Sequence, residues 1–172
     1  MHQNAMVLME QFVAQNKISG TVVDMGSYDV NGNYRHLFEG ASYIGVDIGA
    51  GPNVDMIVGS EEWEKLANVD FVISGQTIEH VADIPAFMSG IYRILKPGGV
   101  LCIIAPSEGP PHHYPIWAGN FPEERMRQVV REGGFEILSC TISDAPPFND
   151  CCCIAKKPES KTGKKGEKDE DQ

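Results

Sequence analysis

Four short apolar runs constrain this chain more than any other feature. They are "TVVDMG" (21–26), "YIGVDIG" (43–49), "VDFVISG" (69–75) and "VLCIIAP" (100–106), each stopping on glycine or proline. Runs of this length are too short for helices that bury themselves, and polar or helix-forming segments separate them. Strands that alternate with helices imply a mainly parallel sheet with helices on both faces. In such sheets ligands lie beyond the carboxyl ends of the strands, near the point where strand order reverses. Chemistry-bearing residues are therefore sought just after each run.

The remaining segments fit the same plan. Residues 4–16 place Met6, Met9, Phe12 and Val13 at helical spacing behind Asn4, a candidate cap. "NYRHLFEG" reads as a short helix, Val54 to Val58 as a third strand, "EEWEKLA" as a helical turn, and Ile84 to Leu95 as a helix. "KPGG" is a turn signal ahead of the most apolar run. Residues 107–120, rich in Pro, Gly, His and aromatics, read as a long loop. "PEERMRQVVREGG" is a helix with proline at its first turn and glycine at its end, and "FEILSCTI" and "DCCCIAKK" are two last strands. Residues 1–157 are thus expected to form one domain, with 1–18 as an N-terminal helix and 158–172 as a disordered charged tail.

Charge and cysteine content narrow the partners. The net charge is −10, and from Lys156 onward six lysines nearly balance five acids, so the acidity belongs to the body. A body with this balance repels a phosphate backbone, which makes nucleic acid an unexpected partner. No run approaches the roughly 20 apolar residues of a membrane span, and the N-terminus has no secretory pattern. The expectation is a cytoplasmic protein with no membrane partner. The five cysteines include three in a row, Cys151 to Cys153, without CxxC spacing. Neighbours on a strand point to opposite faces and cannot converge on one ion. They read as small buried residues, and no metal site is expected.

Gly26 and Asp47 carry the first chemical signal. Asp47 ends the second run 21 positions after Gly26, the spacing at which an acid reaches a ribose diol in a doubly wound fold. Read structurally, it is only the strand-end aspartate of "DIGAG". A dinucleotide fingerprint needs a second glycine where backbone approaches a pyrophosphate, yet Tyr28 stands there, with Asp29 and Val30 after it. An adenosine ligand without phosphate removes that conflict, and Asp24 then favours an ammonium group.

"VVDMGSYDVNG", "YIGVDIG", "VDFVISGQTIEHVAD" and "RILKPGGVLCIIAP" together resemble the successive motifs of class I S-adenosylmethionine-dependent methyltransferases, in particular a small, type 11-like subgroup. The resemblance covers about residues 20–157. It implies an α/β, Rossmann-like doubly wound, mostly parallel seven-stranded sheet with an antiparallel last strand, and S-adenosyl-L-methionine as cofactor. By the same resemblance Asp24, Gly26, Ser27 and Tyr28 match the loop at the methionine end of that cofactor. Asp47 matches the ribose-binding acid, with Ile48 against the adenine. Gly59, Ser60 and Glu61 fall where an acid usually meets the adenine amino group, although Ser60 replaces the common Asp. Ser74, Gly75 and Gln76 match the segment whose backbone lines the methionine moiety. The departure is Tyr28 and Val30 in place of glycines, for which Asn31-Gly32 offers a turn one step later.

A sulfonium methyl is already activated, so a base is needed only for a protonated acceptor such as a hydroxyl. His80 in "IEHV", and His112 and His113 in "SEGPPHHYPIWAGNF", lie beside the expected cleft and are the candidate catalytic residues. The plainer readings are a structural His80 between loop and helix, and an exposed loop pair. Tyr114 and Trp117 offer walls for a flat or sugar-like acceptor, or surface packing. Glu79 reads as an acid facing the amide dipole of the next helix. The expected activity is methyl transfer to a small-molecule acceptor, a hydroxyl of a sugar or metabolite. The alternative is a non-catalytic cofactor-binding or regulatory protein. So little covers the cleft that a large acceptor, an open site, or an oligomer such as a homodimer all suit it.

Overall fold

A computed structural model describes residues 3–59, 63–113, 116–144 and 149–159. Its strands are β1 (Thr21–Met25), β2 (Ser42–Asp47), β3 (Met56–Ile57), β4 (Val69–Gly75), β5 (Leu95–Pro106), β6 (Glu136–Ile142) and β7 (Asp150–Lys156). They form one sheet in the order β3-β2-β1-β4-β5-β7-β6. The first five pair in parallel, and β7 runs antiparallel between β5 and β6. This is the expected Rossmann-like sheet with its antiparallel last strand. Strand order reverses between β1 and β4, which places the expected ligand crevice at their carboxyl ends.

Strand alternation sorts the side chains into two cores. Val22, Ile73, Cys102, Ile104 and Cys152 face helix α1 (Gln3–Gln15), which buries Ala5, Met9 and Phe12 against them. Val23, Val72, Leu101, Ile103, Cys151 and Cys153 face α2 (Ile84–Ile94) and α3 (Glu123–Glu132). The consecutive cysteines are therefore divided between faces, buried and free. Asp83 starts α2 by accepting a hydrogen bond from the Ala86 amide at 2.9 Å, with Pro85 in the first turn. Lys157 closes its far end by donating to the carbonyls of Tyr92 and Leu95 at 2.8 and 2.7 Å. Acids open α3, at Glu123 and Glu124, and Arg131 sits in its last turn, both favourable to the helix dipole.

The short helix expected in the β1–β2 connection is the 3₁₀ turn Arg35–Phe38, and α1 supplies the longer helical cover on that face. Two local expectations change. The "KPGG" turn does not precede β5 but bulges within it. The register passes from Val69 opposite Leu95 to Phe71 opposite Val100. Gly98 takes φ +76° there, and Lys96 closes the bulge on Asp70 at 2.7 Å. Asn4 lies inside α1 rather than capping it, and its amide donates to Ser143 and Asp150 at 2.6 and 2.8 Å. The expected tail lies outside the described residues from Ser160 onward. Among the described residues no helix is long and apolar enough to cross a membrane.

Candidate active site

The carboxyl end of β1 is held open by glycine. Gly26 adopts φ +83°, and a Cβ there would stand 2.2 Å from Oγ1 of Thr77. Both the Gly26 and Ser27 amides donate to the Val46 carbonyl, at 2.9 and 3.0 Å, so the chain turns over the end of β2. The loop then closes on itself. Asp29 accepts from the Gly32 amide at 2.6 Å and from the Asn33 side chain at 2.7 Å, and Gly32 takes φ +115°. The turn thus comes at Gly32, in place of the missing glycines, and the Asp29 carboxylate is spent within its own loop. Those two bonds hold it below the usual carboxylate range.

Asp24 sits lower, buried in β1. Tyr43 donates its hydroxyl to Asp24 at 2.5 Å, and Asn53 in turn donates to Tyr43 at 3.0 Å. Burial pushes the Asp24 carboxyl up to about 7, against the opposing pull of the Tyr43 bond and the Arg35 charge. The group sits where it can gain or lose a proton near neutrality.

Asp47 organises the next strand end. Oδ1 accepts from the amides of Ile48 and Gly49 at 2.8 and 3.3 Å, and Oδ2 from the Tyr28 amide at 3.1 Å. A carboxylate offers about four lone-pair sites, so one on Oδ2 remains open to a further donor. The Tyr28 ring lies over Gly51, where an added Cβ would meet Cε2 at 2.0 Å. Ile48 is 87% exposed at the strand end, an apolar side chain with nothing against it. Gly59 follows directly on Val58, whose amide donates to the Asp47 carbonyl at 3.0 Å, and among the described residues nothing crowds it. Ser60, Glu61 and Tyr114 lie outside the described residues.

At the end of β4, Ser74 is buried and donates to the Met25 carbonyl at 2.9 Å, tying β4 to β1. Gly75 admits the Tyr34 ring, whose hydroxyl is buried without a hydrogen-bond partner. Gln76 takes φ +57°; its amide donates to the Ile104 carbonyl at 2.9 Å and its side chain to Asp150 at 2.8 Å. The side chains of Ser74 and Gln76 are therefore structural ties. Thr77, Tyr34 and Tyr43 escaped the sequence reading because each works through a partner distant in sequence.

Beyond β4 the 3₁₀ turn Ile78–His80 meets the 107–120 loop. His80 Nδ1 lies 2.8 Å from the Ile116 carbonyl, and the Ala118 amide donates to the Glu79 carbonyl at 2.7 Å. The His80 and His112 rings stand 5.1 Å apart, and Trp117 packs on His112 at 4.4 Å. The loop thus brings His80, His112 and Trp117 together. His113 is exposed and stands outside that cluster. Glu79 departs from the expectation: Asp83, not Glu79, caps α2. The Glu79 side chain is 1% exposed, among the described residues neither carboxylate oxygen has a hydrogen-bond partner, and burial pushes it up to about 8.

Residues 2–139 match the family model described as a methyltransferase domain. The chain belongs to the class I S-adenosylmethionine-dependent methyltransferase family. The cofactor of this family is S-adenosyl-L-methionine. A Mycolicibacterium smegmatis protein named "Probable S-adenosylmethionine-dependent methyltransferase" is 31% identical over 77 residues, 41% of this chain. The methyltransferase domain here spans only 30% of that relative's length. Among solved structures, it is similar to a Burkholderia thailandensis 1,6-didemethyltoxoflavin-N1-methyltransferase with bound 1,6-didemethyltoxoflavin and S-adenosylhomocysteine. The TM-score is 0.73 at 16% identity, covering 91% of this chain and 78% of the other. A Clostridium acetobutylicum S-adenosylmethionine-dependent methyltransferase superposes with TM-score 0.68 at 9% identity, over 92% of this chain and 93% of that one. A Haloferax volcanii methyltransferase, solved with the Trm112 methyltransferase activator, gives TM-score 0.65 at 17% identity, covering 90% of each. At these identities the structures establish the shared fold.

Proposed function

We propose that the protein moves a methyl group from S-adenosyl-L-methionine to a hydroxyl of a small acceptor, a sugar or metabolite, by in-line displacement. The observation that carries this reading is the meeting of the Gly26 turn, Asp47 and the Gly75–Gln76 backbone at one strand-order reversal, with the His80–His112–Trp117 cluster beside it. The residues suit the cofactor: Asp47 keeps an acceptor site for a ribose hydroxyl, and the exposed Ile48 offers an apolar face to a flat base. Asp24, Gly26, Ser27 and Tyr28 border the methionine end, where an arriving ammonium favours the ionised form of Asp24. Ser74, Gly75 and Gln76 line it with backbone, and Gly59 lies on the adenine side.

When bound, the cofactor supplies a sulfonium methyl that needs only a nucleophile held in line at about 3–3.5 Å. The chain's own task is to orient the acceptor and receive its proton. His80, His112 and His113 are the residues for that, each carrying a ring nitrogen that can accept a proton. Trp117 gives the acceptor an apolar wall. The named activity of one fold neighbour is N1-methylation, so nitrogen acceptors belong beside hydroxyls in any trial. Turnover of labelled cofactor against such a panel tests the reading. Release of demethylated cofactor with a labelled acceptor supports it, and cofactor binding without turnover on any acceptor favours a binding or regulatory protein instead.

A further inference from the structure

The Glu79 carboxylate poses a physical problem that methyl transfer leaves unanswered. It is 1% exposed, and among the described residues neither oxygen has a hydrogen-bond partner. A buried carboxylate in that state is costly unless an opposite charge meets it. What faces it is lone-pair chemistry: His80 Nε2 lies 4.0 Å from Glu79 Oε1. One nitrogen of His112 completes a trio whose donor atoms all fall within 4.8 Å of one another.

The second shell has the form that metal-binding imidazoles use. His80 Nδ1 is 2.8 Å from the Ile116 carbonyl, which selects the tautomer with its proton on Nδ1 and leaves Nε2 as an acceptor toward Glu79. Trp117 packs against His112 and holds that ring beside His80. An entry path exists, since His112 is exposed and the His80 side chain is 20% exposed above the buried acid. Two imidazoles with one carboxylate suit zinc and neighbouring divalent transition metals. Three protein ligands leave a coordination position open, as in catalytic rather than structural sites.

We propose that Glu79, His80 and His112 form a binding site for one divalent transition-metal ion, open toward the acceptor side of the cleft. Sequence reading misses it because the ligands come from a 3₁₀ turn and a loop more than thirty positions further on, with no motif spacing. Its consequence, which rests on the methyl-transfer reading, concerns the acceptor. An acceptor hydroxyl placed on the open position loses its proton more readily; with the ion bound, His80 and His112 serve as its ligands and His113 or solvent receives the proton.

The test is titration of the metal-stripped full chain with cobalt(II), followed by its visible absorption and by calorimetry. The expected result is one ion per chain with nitrogen-ligand absorption bands. Glu79→Gln and His112→Ala should each weaken binding by about 100-fold or more, while His36→Ala, far from the cluster, leaves it unchanged. Thermal unfolding of Glu79→Gln checks that its fold persists, and His112→Ala, at an exposed position, gives an independent reading. Absence of bands, or equal affinity in both ligand variants and the parent chain, overturns the proposal. Calorimetry with S-adenosylhomocysteine on the same samples separates the two ideas. A chain that binds it and turns over without taking cobalt rejects the metal site alone. One that takes cobalt in the ligand-dependent way yet never turns over keeps the metal site and rejects methyl transfer.

Discussion

Gly26 and Thr77 touch across the reversal of strand order: the Cβ that Gly26 lacks would stand 2.2 Å from the Thr77 hydroxyl oxygen. The turn after β1 and the turn after β4 are thus packed into one unit. Gly26→Ala brings two penalties, a side chain at φ +83° and a collision with Thr77. It is expected to cost about 2–3 kcal/mol of stability and to weaken S-adenosylhomocysteine binding. Gly40→Ala, in open space and outside the proposed cofactor site, should do neither. Chemical denaturation and calorimetry of the two variants check the contrast.

Asp24 predicts a pH dependence of stability. Its folded carboxyl is raised to about 7 from 3.8, so the folded state binds the extra proton between those values. The stabilisation is complete below pH 3.8 and disappears as pH rises through about 7. The loss amounts to about 4 kcal/mol across that window, at about 1.4 kcal/mol per unit. Asp24→Asn should remove that part of the slope. Urea unfolding at a series of pH values measures it, and a parent chain as flat as the variant would reject the assignment.

Asp47 supports both its loop and the proposed ribose contact. Asp47→Ala removes three backbone bonds and the remaining acceptor site. Hydrogen bonds to a charged group are worth about 1.5–3 kcal/mol, so S-adenosylhomocysteine affinity should fall about 10- to 100-fold. NAD should bind neither form.

The histidines should separate chemistry from cofactor binding. His112→Ala and His80→Ala are expected to lower turnover about 10²- to 10⁴-fold with cofactor affinity intact. His113→Ala should also spare cofactor affinity. Loss of that affinity in any of the three would move the residue to the cofactor side, and single-turnover assays beside calorimetry distinguish the cases.

The sheet was legible because each strand is an apolar run closed by a turn residue, and its local signal agrees with its final place. Gly26 and Asp47 were legible for the same reason, each standing at a strand end. What escaped was tertiary. Nothing near Asp24 in sequence announces Tyr43, and nothing near Glu79 announces that Ile116 and Ala118 bond back onto its 3₁₀ turn. The expected dipole role for Glu79 failed because Asp83, four residues later, meets the helix amide itself. "KPGG" was recognised as a turn, yet Lys96 and Asp70 hold it within the sheet as a bulge.

Asp150 joins Asn4 and Gln76, each at 2.8 Å, on the strand inserted between β5 and β6. During synthesis, then, Gln76 reaches its final support only once residue 150 has left the ribosome. A nascent chain halted in the 107–120 loop therefore lacks the strand that holds the Gln76 side chain, and this tie between the two halves of the sheet is among the last to form.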